Sequence, residues 1–193
     1  MLTSYEMNEM NENNNYEHHD EGAPHDILIL GCCYTPEHET NYEGPLYRYD
    51  EIDSKLVDSL KDKDVYIEHD IVDDKGQKRN PIGKVVDAYI NSDGNVMSFL
   101  HITGDPIASS LIPHGLVKDE NGRRYYNDLS LGHGVIFDID KNKDNIKIEE
   151  KIPEEISIVR TGDRPRTHIK DYWLLPHNTE SQKVRQMIPD FMN

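Results

Sequence analysis

The chain has 193 residues and a formal net charge of −16, from 37 acidic and 21 basic side chains. Its length suits one domain with a hydrophobic core. The acidic balance argues against a nucleic-acid binder, because phosphates are neutralised by clustered Lys and Arg. No apolar run approaches the roughly 20 residues that cross a bilayer, and the amino terminus lacks the basic start and apolar stretch of a secretory signal. We therefore expect a soluble protein that is neither secreted nor inserted in a membrane.

Most of the charge belongs to the amino-terminal part of the chain. Ten carboxylates and no Lys or Arg precede Arg48, so the segment before it holds −10 of the −16. Residues 1–25 are mainly Asn, Glu and His, with almost nothing to bury. This composition predicts a disordered acidic tail. The rest of the chain is close to charge balance and should be judged separately.

The sequence offers little for binding a metal or cofactor. His18, His19 and His25 have no accompanying Cys/His ligand spacing, so a solvated tail is the better interpretation. Cys32 and Cys33 are adjacent in an apolar run without a Cys-x-x-Cys spacing, which predicts two reduced thiols in a reducing compartment. There is no Gly-x-Gly-x-x-Gly, no phosphate-binding loop and no His-Glu-x-x-His. We expect neither a cofactor nor a metal.

Apolar periodicity predicts a chain dominated by strands. The predicted strands span residues 27–34, 65–69, 82–90, 96–102, 129–139, 146–151 and 155–161. The turn at residues 91–94 joins two of them as a hairpin. The predicted helices span residues 50–60, capped by Asp50 or Asp53, and 106–112, stopped by Pro113 and Gly115, with a weak amphipathic stretch at 180–188.

Six or seven strands without regular βαβ alternation predict a mainly β (α+β) fold. We expect a closed or strongly bent antiparallel β-barrel with a few surrounding helices. The predicted parts are the tail at 1–25, the barrel domain at 26–178 and a partly helical C-terminal segment at 179–193.

Three short segments carry residues that could do chemistry. His69 and Asp70 end a predicted strand and are followed by a glycine-bearing strand at residues 81–85. Ser130 stands between two leucines, and Gly132 after it permits close backbone approach. Glu155 begins a strand that leads into the turn Gly162-Asp163-Arg164.

These residue types suit nucleophilic catalysis. A hydroxyl nucleophile needs a base for its proton, a group that orients the base, and donors where the oxyanion develops. Spacing alone leaves another interpretation open, in which Ser130 is an edge-strand hydroxyl, His69 a turn histidine and Glu155 a solvated carboxylate.

In this order, the three segments resemble the herpesvirus assemblin and phage prohead protease group of capsid maturation serine proteases. That group has His-Asp followed by a strand like Pro-Ile-Gly-Lys-Val, as at residues 69–70 and 81–85, and Leu-Ser-Leu or Leu-Ser-Ile-Gly, as at 129–132. Prohead proteases have Glu-Val-Ser-Leu-Val, similar to residues 155–159. Herpesvirus enzymes carry a second His where this chain has Glu155, then a Gly-Arg-Arg turn similar to residues 162–164. The resemblance spans roughly residues 27–170.

The resemblance implies an assemblin-like barrel and a serine endopeptidase. It implies that Ser130 is the nucleophile, His69 the general base and Glu155 its orienting partner. Backbone N–H groups of the turn would bind the oxyanion, with Arg164 adding positive charge. The residues of that predicted oxyanion hole are Gly162, Asp163 and Arg164.

The resemblance also implies partners and a location. The substrates would be scaffold or capsid precursor proteins, cut inside an immature viral capsid in the host nucleus or cytoplasm. Herpesvirus relatives dimerise with the support of C-terminal helices, and the shorter tail of this chain leaves a homodimer open. No nucleic acid or membrane is expected as a partner.

Rival assignments remain within the chain. Ser157 shares a strand face with Glu155 and is a second candidate nucleophile. His133 is a second candidate base, although three residues along a strand place it on the face opposite Ser130. The rival functions are a non-catalytic capsid- or scaffold-binding barrel and an unrelated acidic β-rich interaction module. The remaining motif-free histidines, predicted to be structural or solvated, are His101, His114 and His168.

Overall fold

The computed structural model describes residues 25–36, 47, 51–103, 112, 114–140 and 145–192. The strands are β1 (His25–Tyr34), β2 (Asp64–Ile67), β3 (Gly83–Ile90), β4 (Val96–Ile102), β5 (Asp128–Asp140), β6 (Asn145–Val159) and β7 (Ile169–Pro176). The helices are α1 (Ser54–Leu60) and α2 (Ser181–Phe191). A further helical segment has Ile112 and residues 114–116 as its described part.

The seven strands form one sheet in the order β5-β6-β2-β3-β4-β1-β7, curled into a half-barrel. This confirms the predicted mainly β fold with a strongly bent sheet. Closure of the barrel is not observed: in the described part of the chain, β5 meets the residues leading into β7 through an isolated bridge between Asp128 and His168. The sheet is also not wholly antiparallel, because β2 lies parallel to β6.

Apolar residues on both faces of the sheet explain the uninterrupted apolar run in β1. Ile27 and Ile29 belong to the main core. Leu28, between them, packs with Val184 and Ile188 of α2 on the other side. A strand that is covered on both faces reads as a continuous apolar run instead of an alternating one.

Several element boundaries differ from the predicted ones. The two strands predicted around residue 153 are one strand, β6, in which Pro153 lies opposite His133 at a β-bulge. A bulge tolerates the missing proline N–H, so the strand continues through it. Strand β7 was not predicted, because it does not alternate; it pairs with β1. Helix α1 starts at Ser54, after the cap Asp53.

The two ends of the chain and the predicted helix at 106–112 are described only in part. Residues 1–24 of the predicted tail lie outside the described residues, and His25 already belongs to β1. The predicted helix at 106–112 falls mostly outside them as well. Ile112 and residues 114–116 are helical, so the helix does not end before Gly115. The segment predicted to be partly helical contains α2. No helix in the described ranges is both long and apolar enough to span a membrane.

Candidate active site

His69 lies two residues after the end of β2 and contacts the buried carboxylate of Glu155. The parallel register of β2 and β6 pairs Ile67 with Ile158, and the chain then leaves the sheet. Glu68 and His69 both adopt left-handed backbone conformations, with φ of 50° and 57°. Such residues cost about 1–3 kcal/mol each and persist where surrounding contacts hold them. The turn places His69 Nδ1 2.6 Å from Glu155 Oε1. The predicted strand at 65–69 therefore ends two residues early, because of this turn.

Glu155 is a buried carboxylate with both oxygens engaged. Its side chain is 2% exposed, against 41% for His69. Oε1 faces His69 Nδ1, and Oε2 accepts a hydrogen bond of 2.6 Å from Ser157 Oγ. The hydrogen bond to Glu155 raises the pKa of His69 above its ordinary value, and this outweighs the opposing effect of burial. The carboxylate thus fixes Nδ1–H and leaves Nε2 of the neutral ring as the proton acceptor.

Gly132 makes room for Glu155 on the neighbouring strand. It lies directly opposite Glu155 in the β5–β6 register. A Cβ atom added at Gly132 would lie 2.0 Å from Glu155 Oε1, far inside van der Waals contact. The sequence-based expectation that Gly132 permits close approach therefore has a specific reason, which is the space taken by this carboxylate.

We expect Gly132→Ala to displace the carboxylate and destabilise the protein by about 1–3 kcal/mol, as overpacking in a core does. The pKa of His69 should fall toward its ordinary value, because the added methyl group moves Oε1 away. NMR titration of His69 together with thermal unfolding measures both effects. Gly134→Ala is the matched control, since its Cβ would meet the exposed and flexible side chain of Glu154 at 2.6 Å. An unchanged His69 pKa in Gly132→Ala would contradict this account.

Ser130 lies on the same face of the hairpin, beside this pair. It is directly opposite Ser157 in the β5–β6 register, and such pairs have Cβ atoms about 4.5–5.5 Å apart. Ser157 Oγ in turn accepts a hydrogen bond from His69 N at 3.2 Å. Ser130, His69 and Glu155 also line a common cavity of about 290 Å³. The other lining residues are Cys33, Tyr34, Ile71, Leu129, Leu131, Gly132, His133, Glu154, Asp163, Arg164 and Thr167.

Ser130 and His69 line the same cavity. Within the described part of the chain, no hydrogen bond joins them. Catalytic hydrogen bonds are often long in a ligand-free site and tighten when substrate binds. The three residues therefore line one cavity, and a triad would require a hydrogen bond between Ser130 and His69 to form when substrate binds.

Of the three residues of the predicted oxyanion turn, Gly162 is held by another side chain, and the other two line the cavity. Gly162 N donates to Asp128 Oδ2 at 2.8 Å, and Gly162 does not line the cavity. A donor held by a buried carboxylate is not offered to an oxyanion, so the assignment of Gly162 is not supported by its hydrogen bonding. Asp163 and Arg164 line the cavity and remain as candidates.

Arg164 brings a largely buried positive charge to the cavity wall. Its side chain lies over the Tyr34 ring, 3.9 Å from the centroid, and Nη1 donates to the Thr35 carbonyl. Burial lowers the pKa of its guanidinium from the ordinary value. Nη2 is buried without a hydrogen-bond partner among the described residues. Arg164 therefore has an unused hydrogen-bond donor, Nη2, beside the cavity.

The rival nucleophile and the rival base have different outcomes. Ser157 is fully buried and donates to Glu155, so its hydroxyl supports the carboxylate and does not face the cavity. His133 lines the same cavity as Ser130, as does every residue from Leu129 to His133. The β-bulge at this point has its extra residue, Glu154, on β6. His133 packs on the Tyr47 ring and remains a candidate base.

The remaining histidines lie outside the cavity. His114 is exposed, whereas His101 is fully buried and 3.3 Å from Asp26. His168 forms a hydrogen bond with Asp128, the residue that also holds Gly162 N. The sequence did not single out Asp128, although it stands two residues before Ser130. Asp128 is a buried carboxylate at the start of β5. The sequence pattern alone does not show that a carboxylate at such a position is buried.

The two thiols are poor nucleophiles at neutral pH. Cys32 and Cys33 are unpaired and buried, as predicted, and burial raises their pKa values to about 11 and about 12. A thiol is nucleophilic as the thiolate, so Cys33 does not compete with Ser130 at the cavity wall. Across the described residues, no group of three or more His, Cys, Asp or Glu side chains is arranged to hold a metal ion.

Comparison with known proteins adds no family to this geometry. No model of a known protein family matches the chain, and no curated protein matches it either.

Proposed function

We propose that this chain is a serine endopeptidase of the capsid maturation type, with Ser130 as nucleophile, His69 as general base and Glu155 as the orienting carboxylate. The observation that supports it most is the 2.6 Å hydrogen bond between His69 and the buried Glu155, at the wall of a cavity that Ser130 also lines. In a hydrolytic triad a buried carboxylate contacts Nδ1 of the histidine and the serine hydroxyl lies by Nε2. The first contact is present here, and the second is part of the proposal.

The first half of the reaction forms an acyl-enzyme. Ser130 Oγ attacks the scissile carbonyl carbon, and its proton passes to His69 Nε2. The imidazolium that forms is stabilised by the buried side chain of Glu155, whose Oε1 lies 2.6 Å from Nδ1. His69 then donates this proton to the leaving amine as the peptide C–N bond breaks.

The second half regenerates the serine. A water molecule gives a proton to His69 and attacks the acyl carbon, and Ser130 leaves with that proton. In both halves negative charge develops on the substrate oxygen. Backbone donors at Asp163 and Arg164, with the buried guanidinium beside them, are the groups proposed to stabilise it. One such donor is worth about 10²–10³ in turnover.

The biological setting follows from the sequence resemblance. We propose scaffold or capsid precursor proteins as substrates, an immature viral capsid in the host nucleus or cytoplasm as the location, and an assemblin-like barrel as the finer fold. A homodimer fits the same proposal. The curled seven-stranded sheet, with Ser130 and Glu155 on adjacent strands, is consistent with it.

Cleavage of a peptide library tests the activity without a known substrate. The purified chain is incubated with peptides of mixed sequence over a range of protein concentrations, and new termini are identified by mass spectrometry. The proposal predicts new termini that share a sequence preference and that vanish when Ser130 is replaced by alanine. Cleavage that persists in that variant would come from a contaminant. No cleavage at any concentration would favour the non-catalytic scaffold-binding module instead.

A further inference from the structure

Glu68, the residue before His69, has an unusual place at the end of β2. Glu68 N donates to the Ile158 carbonyl at 3.0 Å, which continues the pairing of β2 with β6 by one bond. In a continued parallel ladder, the next bond would run from Arg160 N to the Glu68 carbonyl. That bond is absent because the backbone turns into the left-handed region at Glu68.

The side chain of Glu68 takes the place of the missing carbonyl. Its Oε1 accepts hydrogen bonds from both Arg160 N and Arg160 Nε, each at 3.0 Å. The Arg160 guanidinium also lies over the Tyr125 ring, 5.7 Å from its centroid. The carboxylate therefore accepts the hydrogen bond from Arg160 N that the Glu68 carbonyl would have accepted. It thereby fixes the residue at which the backbone leaves the sheet.

We propose that Glu68 is a positioning residue, whose bonds to Arg160 hold the left-handed turn that places His69 against Glu155. This rests on the proposed function for its catalytic consequence, but the placement of His69 is a property of the folded chain. Two left-handed residues in succession need such a restraint, because their backbone conformation is unfavourable without it. The restraint also reaches the strand end from which the turn at residues 162–164 begins.

Glu68→Asn separates this role from general stability. Asparagine tolerates the left-handed conformation but is one methylene too short to reach Arg160 as glutamate does. Glu68→Gln removes the charge and keeps an oxygen at the right distance. Asp62→Asn is the matched control, since Asp62 is also left-handed, with φ of 67°, and also binds an arginine, Arg185, away from the cavity.

Two measurements are made on each variant: kcat and KM on a cleaved peptide, and the NMR titration and Nδ1–H resonance of His69. We expect Glu68→Asn to lower kcat about 10- to 100-fold at unchanged KM, as a displacement near 1 Å does. The His69 Nδ1–H resonance should move upfield as the bond to Glu155 lengthens. Glu68→Gln should stay within about threefold of the parent, since the acceptor remains, and Asp62→Asn should match it.

The outcomes are distinguishable from failure of the protease proposal. If the parent cleaves nothing, the His69 resonance still reports the placement. An unmoved resonance in Glu68→Asn overturns the positioning role, whatever the activity. Equal losses in Glu68→Gln and Glu68→Asn would overturn it too, because charge and not reach would then be responsible.

Discussion

Ser130→Ala is expected to reduce kcat for peptide hydrolysis by about 10⁴- to 10⁶-fold, the loss seen when a triad nucleophile is removed. Alanine leaves no atom to attack the carbonyl, whereas the remaining donors still bind the substrate. KM should therefore change little. Steady-state kinetics on a peptide from the library experiment measures both constants.

The control for this variant is Ser92→Ala, which removes an exposed hydroxyl in the turn between β3 and β4. It should keep the parental kcat. Thermal unfolding of Ser130→Ala should match the parent within about 0.5 kcal/mol, since a partly exposed hydroxyl contributes little to stability. Retained turnover in a well-folded Ser130→Ala protein would remove Ser130 from the mechanism.

Glu155→Gln is expected to lower kcat about 10⁴-fold, with the fold preserved. The amide has nearly the shape of the carboxylate, but it carries no charge to stabilise the imidazolium. It can also present its NH₂ group to His69 Nδ1 and thereby favour the wrong tautomer. Glu150→Gln, an exposed position on the same strand, serves as the control and should leave kcat unchanged.

The pH dependence of kcat/KM tests the pairing of His69 with Glu155, because the pairing predicts the direction in which the pKa of His69 is shifted. His69 must be neutral to accept the serine proton, so the rate rises as pH increases through its pKa. The hydrogen bond to Glu155 raises that pKa above the ordinary 6.5, which places the midpoint of the acid limb above pH 6.5. In Glu155→Gln the raising contact is lost and burial still lowers the pKa, so the midpoint should move to lower pH. A shift in the opposite direction would contradict the pairing.

The sequence singled out three distant residues that the fold brings to one cavity, and their catalytic roles remain predictions. Ser130, His69 and Glu155 were named from short segments and a family resemblance, and they line one cavity. The hairpin of β3 and β4 was also predicted, because its turn and apolar pattern are local signals. Each of these predictions was made from short stretches of sequence around the residues concerned.

What could not be predicted depends on backbone irregularity and long-range pairing. The left-handed turn at Glu68 and His69 has no sequence signature, because it uses no glycine at the strained positions. Strand β7 is recognisable through its pairing with β1, about 140 residues earlier. The hold of Asp128 on Gly162 N likewise joins distant parts of the chain.

Covalent labelling shows whether Ser130 is an activated nucleophile. The chain is treated with a fluorophosphonate, which reacts with a serine only where a base activates it, and the labelled residue is mapped by mass spectrometry. We predict a single modified residue, Ser130, with labelling that rises with pH and is lost in His69→Ala. Labelling of another serine, or none on a folded protein, would contradict the assignment of Ser130, His69 and Glu155 as a hydrolytic site.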